Sequence, residues 1–194
     1  MSDMCRFILK IHRTAGIRHW KRKGGIYMQG IIIYKSTYGA TRQVADWISE
    51  ETGFPVRSVR EIRPADIAQS DVVLIGSPVM AFQPLLKKWI IKKWPLLEGK
   101  HVGLFTTSGA PPSFGKLREG FEAGFPESIR SKLQYFPCGG RMIYSNLKPV
   151  HKLLMKIGQR IEKDPQLKVD MMKDTDQMNR DHIKPVIEMV KSLG

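Results

Sequence analysis

Acidic residues are scarce in this 194-residue chain: 18 Asp and Glu stand against 32 Lys and Arg, a net charge of +14. Cysteine is scarcer still. Only Cys5 and Cys138 occur, far apart and without metal-type or redox-type spacing, which excludes a disulfide-stapled scaffold and points to a reducing, cytoplasmic setting. No apolar run approaches the roughly 20 residues that span a bilayer, and residues 1–27 are too polar and too interrupted for a secretory leader. Histidines at 12, 19, 101, 151 and 182 show no ligand spacing, so no metal is expected. Repeats and low-complexity segments are missing too, and the length suits one domain.

The positive charge is uneven. Residues 1–27 hold seven basic residues against Asp3 alone, a net +6, so residues 28–194 carry the other +8. A basic arm can serve nucleic acid or an anionic surface, and Arg-rich, acid-poor segments also mark organelle import. No nucleic-acid-binding motif follows residue 27. The arm is therefore read as a disordered basic N-terminal extension, and no nucleic-acid partner is expected. Met28, directly before the first strand, would serve as a native start, with residues 1–27 an upstream addition.

From Gly30 onward, strand-like and helix-like segments alternate, the pattern of a parallel sheet covered on both faces. Gly30–Tyr34 is a first strand, followed by a helix over about Thr41–Glu51 that stops at Gly53. Pro55–Val59 is a weaker strand, and Ala65–Gln69 a short helix. Asp71–Ile75, apolar after its Asp and closed by Gly76, suits a central parallel strand. Pro84 starts a helix with Leu85, Leu86, Trp89 and Ile90 on one face, and Pro95 ends it. His101–Thr106 and Leu133–Phe136 are the fourth and fifth strands, with Leu117, Phe121 and Phe125 recurring every fourth residue between them. Helices over about Leu147–Glu162 and Asp176–Leu193 close the chain, the second kinked or starting late at Pro185.

Three connections, Lys35–Thr41, Gly76–Gln83 and Thr107–Gly115, leave the carboxyl ends of strands one, three and four. That is the edge at which open parallel sheets bind ligands. All three are rich in Gly, Pro, Ser, Thr or small residues, so backbone can approach a ligand closely. The first lacks GxxxxGK[ST], which leaves no lysine for β- and γ-phosphates, and it lacks GxGxxG, which disfavours a dinucleotide. What remains is hydroxyls on Ser36, Thr37 and Thr41 and the N–H groups of residues 37–41 at a helix start. Those suit a phosphate monoester, with Arg42 adding charge. The plainer reading is an ordinary helix start capped by Ser36 or Thr41.

The stretch Ile32-Ile33-Tyr34-Lys35-Ser36-Thr37-Tyr38-Gly39-Ala40-Thr41-Arg42-Gln43-Val44-Ala45 resembles the phosphate-loop signature of flavodoxins, and element order after Met28 is similar throughout. The resemblance implies an α/β fold over residues 28–194, a flavodoxin-like three-layer sandwich with a five-stranded parallel sheet of order 2-1-3-4-5. It also implies FMN as cofactor. Ser36, Thr37, Tyr38, Gly39, Ala40 and Thr41 would hold its phosphate. Ser77, Pro78, Val79, Met80, Ala81 and Phe82 would flank the ring on one side, and Thr107, Ser108, Gly109 and Ala110 on the other.

Within that superfamily, Tyr144, the segment Lys152–Lys156, Thr175-Asp176 and the Thr41-Arg42 pair resemble the protoporphyrinogen dehydrogenases that pass electrons to menaquinone. The Gly76–Gln83 loop departs from the pattern, with no Gly after its first residue and no Arg or His at its tip. This branch implies an FMN-dependent oxidoreductase working between a small-molecule donor and a quinone. The alternative is a non-enzymatic electron carrier serving a redox partner protein. No catalytic residue is identifiable, as expected where the cofactor carries the chemistry.

None of the three loops contains Asp or Glu, whereas electron-shuttling flavodoxins are, by resemblance, acidic around the flavin. Lys35, Arg42, Lys87 and Lys116 lie in or near the loops instead, so a two-electron potential less negative than an acidic shuttle's is expected. Met80, Phe82 and Phe114 are the apolar side chains best placed to cover the ring, or else to pack as core or rim; Tyr38 and Tyr144 are read as structural. The helix over Leu147–Glu162 carries Lys148, Lys152, Lys156 and Arg160 opposite Val150, Leu153, Leu154, Ile157 and Ile161. The expectation is an ordinary surface helix with that stripe packed on the sheet. The rival reading is peripheral contact with an anionic membrane.

Overall fold

Runs of β-branched and aliphatic residues set the sheet. The structure, a computed structural model, describes residues 20–21 and 27–193. The parallel strands are β1 (Gly30–Tyr34), β2 (Val56–Ser58), β3 (Val72–Met80), β4 (His101–Thr107) and β5 (Leu133–Pro137). They lie in the order β2-β1-β3-β4-β5, the order that the flavodoxin resemblance implies. Register is fixed by burial on both faces: Ile32 stands opposite Leu74, and Leu74 opposite Gly103.

The helices are α1 (Ala40–Thr52), α2 (Pro64–Ala68), α3 (Lys87–Leu97), α4 (Gly115–Gly124), α5 (Glu127–Arg130), α6 (Pro149–Ile161), α7 (Pro165–Asp170) and α8 (Lys184–Ser192). Strand alternation divides the core. Ile31, Ile33, Val73, Ile75, Val102 and Leu104 pack against Ile67, Ile90, Trp94, Phe121 and Ile129 of α2 to α5. Ile32, Val72, Leu74 and Phe105 pack against Val44, Ala45 and Ile48 of α1 and Val186, Ile187 and Val190 of α8. The three-layer α/β sandwich is thus complete.

Four expectations change. Gly76–Gln83 is not an open loop: β3 runs on to Met80, and Gln83–Pro84 turns back to pair antiparallel with Val79–Met80. Pro78, which has no N–H to give, lies just past the last β1 pair at Gly76 and uses its carbonyl to accept Leu85 N–H at 2.9 Å from the returning segment. Pro95 sits inside the last turn of α3 rather than ending it. The final segment is a two-residue strand, Thr175–Asp176, paired with Arg141–Met142, then a 3-10 turn and α8, which starts late with Pro185 in its first turn.

The fourth change is α6, which buries no residue; its apolar stripe does not pack on the sheet. The expected N-terminal arm falls outside the described residues, apart from Trp20–Lys21 and Tyr27, where Trp20–Lys21 pairs with Tyr27–Met28. Among the described residues no helix is long and apolar enough to cross a membrane.

Candidate functional site

The first loop is built by β1 and α1. Lys35 N–H donates to Gly76 O at 3.0 Å, fastening the loop's start to β3. Ser36 Oγ accepts from Gly39 N–H at 3.1 Å, and Gly39, at φ 93°, turns the chain into α1. That left-handed conformation suits glycine. Gly39 is therefore the N-cap, in place of Ser36 or Thr41, and among the described residues no side chain caps α1. The first N–H groups of a 13-residue helix are left open to the cleft that residues 36–41 line, with no acidic residue in the first turn. Partial positive charge gathers there.

Thr41 is buried, and its Oγ1 lies 2.7 Å from Thr107 Oγ1 at the end of β4. One of these hydroxyls donates to the other, so the pair keeps one proton for a further acceptor while joining the first loop to the third. The cleft between the loops measures about 580 Å³, a size typical of small-ligand sites. Ser36, Thr37, Tyr38, Gly39, Ala40 and Thr41 meet there with Pro78, Val79, Met80 and Ala81 and with Thr107, Ser108 and Gly109.

Three predicted residues do not line it. Ser77 is fully buried and its Oγ accepts Leu86 N–H at 3.0 Å, because the lengthened β3 carries the side chain into the core. Phe82 pairs with Phe114, ring centroids 5.9 Å apart, and lies 5.5 Å from Lys116 Nζ, so neither ring covers the cleft. Ala110 offers only its carbonyl, to Ser108 Oγ at 3.1 Å. Arg42 is likewise turned aside, its Nε 3.0 Å from Asp46 and its NH1 donating to Tyr34 OH at 2.9 Å. Those two partners, the tyrosine first, raise the guanidinium's pKa further.

A fourth wall comes from residues far along the chain. Gly140 to Ile143 after β5, with Asn146 and Leu147, and His151, Leu154 and Met155 of α6 close the cleft. Tyr38 OH accepts Lys148 N–H at 3.0 Å and bonds His151 Nδ1 at 2.5 Å, so the first loop holds α6 by its N-terminus. Arg141 Nε lies 2.7 Å from Asp176. Met178 N–H and then Arg141 hold that carboxyl below its usual range. None of the described lining residues is Asp or Glu. Thr175 Oγ1 is buried without a hydrogen-bond partner among the described residues and lies 2.4 Å from where a Cβ on Gly109 would stand. Gly109 thus leaves room for Thr175, which packs against the third loop without lining the cleft.

Residues 31–168 match the family model described as the flavodoxin domain. The chain belongs to the flavodoxin family. Among solved structures this flavodoxin domain is similar to the flavodoxin, WrbA-like protein from Agrobacterium tumefaciens, at 12% identity over 86% of this chain and 99% of that one, with a TM-score of 0.46. It is similar to the Trp repressor binding protein from Bacillus subtilis at 14% identity, 70% and 99% coverage and a TM-score of 0.45. For the Megasphaera elsdenii flavodoxin the values are 21%, 57% and 82%, and 0.41. No curated protein matches the chain.

The matched span of the flavodoxin domain ends in α7, yet Thr175–Asp176 beyond it braces the fourth wall. In the sequence, the local signal at this wall is Gly139-Gly140, a pair that by itself marks no more than the end of a strand. A second hollow of about 440 Å³, bounded by Arg118, Glu122 and Arg130, shares none of the loop residues.

Proposed function

We propose that this flavodoxin domain is an FMN-dependent oxidoreductase of the protoporphyrinogen dehydrogenase branch, handing electrons to a quinone. The observation that carries the reading is the uncapped N-terminus of α1, open to the cleft between Ser36 and Thr41. It offers backbone N–H donors and the helix dipole to a phosphate dianion without a lysine. Ser36 to Thr41 would hold the FMN phosphate; Pro78 to Ala81 and Thr107 to Gly109 would border the ring, with Met142, Leu154 and Met155 as apolar walls. When bound, FMN supplies the two-electron chemistry, which the protein orients and tunes.

Support for the branch comes from where its residues fall. Lys152 Nζ lies 5.8 Å from the Tyr144 ring centroid and donates to Ser145 O at 2.8 Å. Thr175–Asp176 pairs with Arg141–Met142. Residues scattered in sequence thus converge on the fourth wall.

FMN and riboflavin titrated into the flavin-free full chain test the cofactor. FMN is expected to bind far more tightly, and Ser36→Ala and Thr37→Ala to weaken FMN about tenfold each while leaving riboflavin unchanged. A hydrogen bond to a charged group is worth about 1.5–3 kcal/mol. Equal affinities for the two flavins would remove the phosphate role. Quinone-dependent oxidation of protoporphyrinogen by the FMN-loaded protein tests the branch. Reduction of a redox partner protein alone would make it a carrier.

A further inference from the structure

Helix α6 presents its polar side inward and its apolar side to solvent. Four polar side chains along it are anchored: His151 to Tyr38, Lys152 Nζ to Ser145 O at 2.8 Å, Gln159 Nε2 to Lys168 O at 3.1 Å, and, one residue past its end, Glu162 to Lys116 at 3.0 Å. The opposite stripe stands exposed, with Val150 at 57%, Leu153 at 58%, Leu154 at 47%, Ile157 at 44% and Ile161 at 73%. Five large aliphatic residues at helical spacing form a patch of a kind soluble surfaces avoid. At 100° per residue, Arg160 and Lys156 run along the Leu153 edge of the stripe. Both are exposed, and among the described residues neither has an ion-pair partner. Helix α6 itself contains no Asp or Glu.

We propose that α6 docks the protein on an anionic lipid bilayer. The stripe from Val150 to Ile161 enters the boundary between headgroups and acyl chains, and Lys156 and Arg160 meet the lipid phosphates. Charge selects this occupant. Residues 1–27 carry +6 and a second copy of the chain +14, so both repel the basic edge of the stripe, whereas an anionic surface attracts it. The contact is peripheral and lies in the plane of the surface. Leu154 belongs both to the stripe and to the cleft wall, so docking sets the cleft beside the bilayer. Docking stands without any flavin; only the further consequence, that a lipid-dissolved oxidant reaches the cleft from the membrane side, rests on the proposed function.

Co-sedimentation of the full chain, with and without FMN, tests this with vesicles of phosphatidylcholine alone or mixed with phosphatidylglycerol. The protein is expected to pellet with the anionic vesicles at low salt and to stay in solution with the neutral ones. Leu153→Ser with Ile157→Ser, and separately Lys156→Glu with Arg160→Glu, should each lower the bound fraction about tenfold. Circular dichroism and FMN titration of the same variants should match the parent, separating lost docking from a lost fold or a lost cofactor site. Failure to pellet with anionic vesicles would overturn the proposal. So would pelleting that survives loss of Leu153 and Ile157, which would mean charge alone. A dimer in sedimentation velocity that the Leu153 and Ile157 changes dissolve would instead make the stripe a self-interface.

Discussion

Gly120 shows how one absent Cβ shapes the site. A Cβ there would stand 1.9 Å from Phe82 O, so the backbone of α4 rests directly on the turn at Ala81 and Phe82. Both turn residues have positive φ, 48° and 61°, a region that costs non-glycine residues about 1–2 kcal/mol each. The packed helix offsets that strain and holds the turn beside the cleft. Gly120→Ala should therefore lower stability by about 1–3 kcal/mol and weaken FMN, read from the denaturant midpoint and from flavin titration. Cys138 makes a second case. Burial pushes its thiol from an ordinary 9.0 up to about 12. The folded state keeps the thiol neutral where the unfolded chain would ionise it. Its contribution is thus fully present below about pH 9 and is lost as pH rises from there towards 12. In a Cys5→Ser background, alkylation should be blocked in the folded protein, and chemical stability should fall as pH climbs above 9.

At the scale of elements, the joint between the first loop and α6 is the weakest support of the cleft. Tyr38 is 44% exposed, so water competes for its two hydrogen bonds. Tyr38→Phe should cost no more than about 1 kcal/mol globally. Amide hydrogen exchange should nevertheless quicken across residues 149–161 and stay unchanged in β1, β3 and β4; uniform quickening would contradict a local joint. The same contrast explains what the sequence disclosed. Ile31–Ile33, Val72–Ile75 and Val102–Phe105 are legible as strands because burial on both faces demands unbroken apolar runs. Ser36 to Thr41 is legible because hydroxyls and glycine cluster where β1 ends. The extension of β3 through Gly76, Ser77 and Pro78 reads locally as a break and is specified by its neighbours in the sheet. The fourth wall depends on contacts such as Tyr38 to His151, 113 residues apart, which no local pattern encodes. For α6, periodicity reveals a stripe but not which side the protein covers.

For the whole molecule, the question is how a +14 chain acts on a cofactor that gains negative charge on reduction. Several basic groups near the loops are already answered: Arg42 by Asp46, Lys116 by Glu162, and Arg141 by Asp176. Among the described residues Lys87 bonds only the neutral amide of Gln83, and the described cleft lining holds no carboxylate. One unanswered charge at about 10 Å, with an effective dielectric constant of 20, contributes roughly 1.7 kcal/mol. For a two-electron couple that corresponds to about 36 mV. A potential less negative than an acidic shuttle's is therefore still the expected outcome, with the paired charges reducing the expected size to tens of millivolts. The FMN-loaded protein should show a two-electron midpoint above that of an acid-walled flavodoxin. Lys87→Gln should lower it by about 20–40 mV. Added salt should also lower it, because screening weakens the positive field that favours the reduced anion. Spectroelectrochemical titration at low and high ionic strength measures both. A midpoint that rises with salt would mean that negative charge controls the site, and would point back to a carrier.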